Sequence, residues 1–147
     1  MNDITYIERL NTWVPADDRF ANRWKSGKGK KGEKFGCEHM AHLVRDWWGD
    51  RKMGLMLDCG SFVGWCARFW SDTADNVIAW EPNPVSRRCV EKNCGAIDNV
   101  KINSEALSAY NQPGYLGFNV SHHYGNCTLK SEGFPVQLRA LDSYDLQ

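Results

Sequence analysis

Residues 54–64 read GLMLDCGSFVG, and the fold turns on them. Gly54 to Leu57 is a short apolar run closed by Asp58, the pattern of a buried strand. Phe62, Val63, Cys66, Ala67, Phe69 and Trp70 then recur at helical spacing. Gly60 lies between them and gives the backbone the freedom that a tight strand-to-helix turn needs.

The same unit repeats downstream. Residues 76–80 form a second apolar run ending in Glu81-Pro82, where proline stops the ladder. A short helix is expected from Pro84 to Asn93, with Pro84 in the first turn and Asn93 and Gly95 at the exit. Val100-Lys101-Ile102 makes a third strand. Upstream, Met40, Leu43, Val44 and Trp47 fall at i, i+3, i+4 and i+7, so an amphipathic helix precedes the first strand and stops at Gly49. Helices and strands thus alternate at close spacing, which predicts an α/β fold with a partial parallel sheet and helices on both faces. After Ala106 the texture changes. Tyr115–Val120 and Phe134–Leu141 alternate with period two around a polar stretch holding Gly125 and Gly133, which predicts a C-terminal β-hairpin.

Residues 1–36 read differently. The first 23 residues suggest a strand or irregular arm laid against the domain, and Lys25 to Gly36 a loop. Residues 37–147 are the expected domain. Lys25, Lys28, Lys30, Lys31 and Lys34 against Glu33 give a local charge of +4, which leaves the remainder at −4 because the net charge is zero.

At 147 residues, 42% hydrophobic and 24% charged, the composition is that of an ordinary soluble protein. No window reaches the roughly 18 apolar residues of a membrane span, and the start lacks the pattern of a signal peptide. A cytoplasmic protein with no membrane partner is expected. Among the six cysteines, Cys59, Cys66, Cys89 and Cys94 fall in or beside apolar segments, which suggests reduced, buried thiols. Seven tryptophans should lie in the core or line a pocket.

In an open parallel sheet, ligands bind outside the carboxyl ends of the strands. The first strand ends in Asp58-Cys59-Gly60-Ser61-Phe62-Val63-Gly64. The second ends in Glu81, 23 residues after Asp58, near the spacing at which a carboxylate meets ribose hydroxyls. The third ends in Asn103-Ser104-Glu105-Ala106, placed for an adenine edge. These ends outline a nucleoside-shaped crevice. The glycines follow D-x-G-x-x-x-G rather than the dinucleotide pattern G-x-G-x-x-G. Asp58 would repel a pyrophosphate but suits an ammonium or sulfonium, and S-adenosylmethionine carries both. Its plainer role is to cap the helix that follows.

With these residues in view, the segment from about Trp13 to Leu146 resembles the FkbM family of methyltransferases, especially its short, phage-borne forms. The matching pieces are TWVPADDRF, MLDCGSFVGWCARFW, NVIAWEPNPVSRRCVEKN, VKINSEALSAY, YGNCTL and VQLRALDSYDL. The resemblance implies a Rossmann-like class I methyltransferase fold that binds S-adenosylmethionine. Asp58, Gly60 and Gly64, with Ser61 close by, would form the methionine side. Glu81 would hold the ribose, Asn83 would flank it, and Glu105 or Ala106 would border the adenine. The implied reaction is O-methylation of a hydroxyl on a glycan or small metabolite. Base candidates are His122, His123, Glu105 and Asp142, with the two histidines as the catalytic choice. Ser61-Phe62 departs mildly from the family pattern. The fourth strand and its D-x-E-G motif do not occur before Gln147, so the domain is expected to be incomplete there.

Other readings weigh against this one. An incomplete domain could bind the cofactor without catalysing transfer and self-associate through an exposed sheet edge. The lysine run could contact nucleic acid, although it lacks the G-x-x-x-x-G-K-[ST] phosphate loop. Cys37-x-His39-x-x-His42 has no second ligand pair, so no metal site is expected.

Overall fold

The first described element is a hairpin of two antiparallel strands, β1 (Ile4–Ile7) and β2 (Thr12–Pro15), joined by a 3-10 turn at Glu8–Leu10. Asn11 closes that turn at φ 48°, a left-handed conformation that asparagine tolerates. A computed structural model describes residues 3–19, 23, 36–119 and 124–146, and on it the arm is packed in rather than laid on. Ile7 and Val14 are buried with Val63 and Cys89 in one apolar cluster. Asn93 locks the contact: its Oδ1 accepts the Trp13 N–H at 2.8 Å, and its Nδ2 donates to the carbonyls of Trp13 at 2.9 Å and Val63 at 2.7 Å.

Helix α1 (Gly36–Trp48) follows, ending where Gly49, at φ 69°, returns its N–H to the Arg45 carbonyl. Next come strand β3 (Met53–Cys59), helix α2 (Trp65–Ser71), strand β4 (Ala74–Trp80), helix α3 (Pro84–Cys94) and strand β5 (Val100–Asn103). The strands are parallel in the order β3-β4-β5, with Met53 opposite Ala74, Cys59 opposite Trp80, and Trp80 opposite Asn103. The protein is therefore α/β, with the sequence of elements that hydrophobic periodicity predicts.

Three expectations are corrected. Ala67 of α2 and Val90 and Cys94 of α3 share one cluster with Val77 and Ala79, which project from the same face of β4. Both crossover helices thus lie on one face of the sheet, not one on each. On the other face Trp80 meets Tyr144, ring centroids 5.3 Å apart and edge-on. In β3, Leu55, Met56 and Leu57 are only half-buried, because among the described residues the strand is an edge paired with β4 alone. The apolar stripe of α1 is also not in the core: Met40, Leu43 and Trp47 are exposed, Trp47 to 93%. No described helix is long and apolar enough to cross a membrane.

The C-terminal third forms a second sheet of strands β6 (Ala106–Ser108), β7 (Gln112–Phe118), β8 (Cys127–Lys130) and β9 (Phe134–Ala140), in the order β6-β9-β7-β8. The two expected strands do pair antiparallel, Leu116 opposite Phe134. Instead of a lone hairpin, however, the sheet is four-stranded: β8 adds along β7, and β6 pairs parallel with β9. Cys-Thr-Leu-Lys is too short and too polar for periodicity to mark it as a strand.

Replacing Asn93 with Ala leaves three backbone groups without its side chain. Urea unfolding should show a loss of about 2 kcal/mol or more. Arg88→Ala, which removes an exposed ion pair with Asp3, should change stability by no more than about 1 kcal/mol.

Candidate ligand site at the carboxyl ends of the parallel strands

The turn after β3 is closed by β4. The N–H groups of Gly60 and Ser61 both donate to the Trp80 carbonyl, at 2.9 and 3.0 Å. Gly60 sits at φ 89° with open space where a Cβ would be, so its requirement is purely conformational. Gly64 is needed twice over: its φ is 82°, and a Cβ would lie 2.8 Å from Cys94 Sγ. Close packing at the turn therefore falls on Gly64, not Gly60. Phe62 is left-handed at φ 53°, a costly conformation for a bulky side chain, and it precedes the helix instead of opening it.

Two carboxylates hold this arrangement. Asp58 Oδ2 accepts the Ala67 N–H at 3.0 Å, capping the first turn of α2, while the Asp58 carbonyl accepts the Ser61 hydroxyl at 3.1 Å. Burial raises the Asp58 pKa. Glu81, only 6% exposed, accepts the Phe62 N–H on Oε2 at 2.6 Å and the Asn83 N–H on Oε1 at 2.8 Å. Burial pushes its pKa up to about 7, against two backbone donors that favour the ionised form. Asn83 in turn caps α3, its Oδ1 accepting from Val85 N–H at 3.0 Å and Ser86 N–H at 3.4 Å.

Above this framework lies an open cavity of about 560 Å³, in the range of small-molecule sites. Gly60 and Pro82 border it from the parallel sheet, Glu105 from the link after β5, and Ala106, Leu116 and Leu129 from the second sheet. Its described lining includes no lysine or arginine. Trp80 also lines it, edge-on to Tyr144, whose hydroxyl interacts with Trp80 and Glu105, and the Asn103 amide nitrogen is buried without a hydrogen-bond partner among the described residues. Orphaned buried groups of this kind are uncommon. Cys59 and Cys127 line the cavity as well, but burial raises both thiol pKa values, so they stand as neutral thiols at physiological pH.

Of the residues expected from the sequence, Gly60, Glu105 and Ala106 reach the cavity wall. Asp58, Ser61, Gly64, Glu81 and Asn83 form the hydrogen-bonded layer around the turn. Asp142 is elsewhere, lining a different cavity with Ser108 and Leu146. His122, His123, the lysine run and the side chains of Cys37 and His39 lie outside the described residues, and His42 is exposed. The wall supplied by β7 and β8 went unforeseen. Period-two alternation marks Leu116 as belonging to a strand but does not say which sheet it will face.

The chain matches no protein-family model, no curated protein and no solved structure.

The raised Glu81 pKa has a signed consequence. Below the ordinary value of 4.5 both folded and unfolded chains carry the proton; between 4.5 and about 7 only the folded chain does. The folded state then binds more protons, so stability falls as pH rises through this window. The urea midpoint should decline from pH 5 to pH 8, and Glu81→Gln should flatten the slope. A midpoint that climbs across the window would contradict the assignment.

Proposed function

We propose that the chain is a Rossmann-like, S-adenosylmethionine-binding protein of the methyltransferase type, acting on a hydroxyl of a small metabolite or glycan. One observation carries the reading. The cavity at the carboxyl ends of a parallel sheet is bordered by Glu105, underlain by Asp58 and Glu81, and free of described basic side chains. Such a crevice favours a cationic nucleoside over a pyrophosphate.

The residues fit the group in three ways. Glu81 uses one lone pair on each oxygen for backbone N–H groups, and each oxygen retains another for a ribose hydroxyl. The Asn103 amide nitrogen, without a partner among the described residues, is a donor for the base or sugar. Leu116 and Leu129 offer an apolar wall to the flat base. When bound, S-adenosylmethionine supplies a methyl group on a sulfonium whose positive charge is lost on transfer. The chain's own task is to hold the acceptor in line and exclude water. Cys59, Cys89, Cys94 and Cys127 are free thiols, which suits a cytoplasmic setting.

A second reading, binding without transfer, has its own support. Among the described residues at the cavity, both thiols are neutral and both Glu81 oxygens already accept backbone N–H groups. His122 and His123 remain the candidate bases.

Calorimetric titration with S-adenosylmethionine and S-adenosylhomocysteine tests the binding claim. Wild type should bind both. Affinity for the sulfonium should rise from pH 6 to pH 8 as Glu81 ionises, and Glu81→Ala, checked for folding by circular dichroism, should weaken it at least about tenfold. No binding by folded wild type refutes the proposal. Methyl transfer lost in His122→Ala and His123→Ala with binding intact would separate catalysis from binding.

A further inference from the structure

We propose that β3 pairs antiparallel with the β3 of a second copy of this chain, so that the parallel sheets of two subunits become one. The Met53 N–H donates to the Thr73 carbonyl at 2.9 Å, which turns the backbone groups of Met53, Leu55 and Leu57 toward β4. Strand geometry then turns the N–H and C=O of Gly54, Met56 and Asp58 outward. Among the described residues nothing pairs with that edge. From Met53 to Cys59 it carries no lysine and no proline, the usual guards of a free edge. A row of unpaired amides and carbonyls on an apolar strand is completed by another strand.

The edge is self-complementary. With a two-fold axis at Met56, each outward amide and carbonyl of Met56 meets its own counterpart, and Gly54 lies opposite Asp58 of the second copy. No like charges are opposed in this register, and Leu55 comes opposite Leu57 of the other copy. Both leucines are half-buried, on the face away from α2 and α3, so pairing would cover them. A neighbouring apolar surface extends the contact. Helix α1 packs against α2 and is joined to the start of β3 by residues 49–52, and its Met40, Leu43 and Trp47 are exposed. An uncovered apolar stripe beside an open strand edge marks an interface more strongly than either feature alone. Because one surface serves both partners, the closed two-fold dimer is the assembly it fits.

Sedimentation velocity on the 147-residue chain, from about 1 to 100 µM, reads the outcome. Wild type should dimerise. Gly54→Pro removes an outward N–H at an exposed position where a Cβ meets nothing within 4 Å, so it spares the β4 ladder. It should raise the dissociation constant at least about tenfold with an unchanged circular dichroism spectrum. Trp47→Lys, at a side chain that the fold hardly touches, should weaken the dimer in the same direction. A wild-type monomer throughout, open-ended oligomers, or a dimer indifferent to Gly54→Pro would each overturn the proposal. Sensitivity to Trp47→Lys alone would do so too, because it would place the contact on α1 without strand pairing.

Discussion

Everything at the strand ends hangs on the Glu81 carboxylate. It stands at the end of β4 and accepts one N–H from the turn after β3 and one from the turn before α3. These are the two turns that bring the backbone over the carboxyl end of the sheet. One of the donors belongs to Phe62, whose left-handed backbone costs about 1–3 kcal/mol and persists because neighbours over-determine it. The Phe62 ring packs over Gly125, where a Cβ would come within 3.5 Å of it, so the loop before β8 is tied into the same turn. Burying a carboxyl group is unfavourable, and the raised Glu81 pKa is the mark of that cost. What the burial secures is a fixed relation between two loops that sequence separates by about twenty residues.

That relation shapes the cavity as much as it shapes the fold. Helix α2 begins at Trp65 only because three left-handed residues, Gly60, Phe62 and Gly64, swing the chain back across the sheet end. Asp58 then reaches the Ala67 N–H and quiets the helix start. An acid used as a cap still contributes negative potential to the crevice when ionised. The second sheet closes the opposite side with leucines, so a ligand would find charge at one wall and apolar surface at the other. This division suits a molecule with a cationic end and a flat, weakly polar one.

Much of this was legible beforehand, and the illegible parts have physical reasons. The strands β3, β4 and β5 and the helix from Pro84 declare themselves through apolar runs and a first-turn proline. The D-x-G-x-x-x-G turn and Glu81 were readable as neighbours because strand ends of one parallel sheet must converge. What periodicity cannot show is the partner of a polar side chain. Asn93 reads as a helix exit, yet its amide fastens the N-terminal hairpin 80 residues away. Asn99 likewise reads as loop, while its Nδ2 donates to the carbonyls of Ser71 and Ala74. Helical spacing also misplaced Phe62 and Val63, since an apolar residue in a buried turn is spaced like one on a helix. The α1 stripe was rightly seen as apolar; its exposure depends on which elements lie beside it, and that information is not local.

The one-sided placement of α2 and α3 links the remaining features. Consecutive parallel strands that step in one direction carry their crossovers on a single face, because the connection keeps one hand. The sheet therefore grows away from β3, and among the described residues β3 has a neighbour on one side only. In a doubly wound sheet the strand at the switch point is the most buried, and its apolar residues have both faces covered. Leu55, Met56 and Leu57 have the apolar character of such a strand but half its burial. The sequence of β3 is thus that of an interior strand held at an edge. The same strand ends in Asp58 and Cys59 and runs into Gly60, so whatever stiffens β3 along its outer edge also stiffens the floor of the cavity. Site and edge are two ends of one constraint, and a strand added to the second would reduce the freedom that a ligand must otherwise remove at the first.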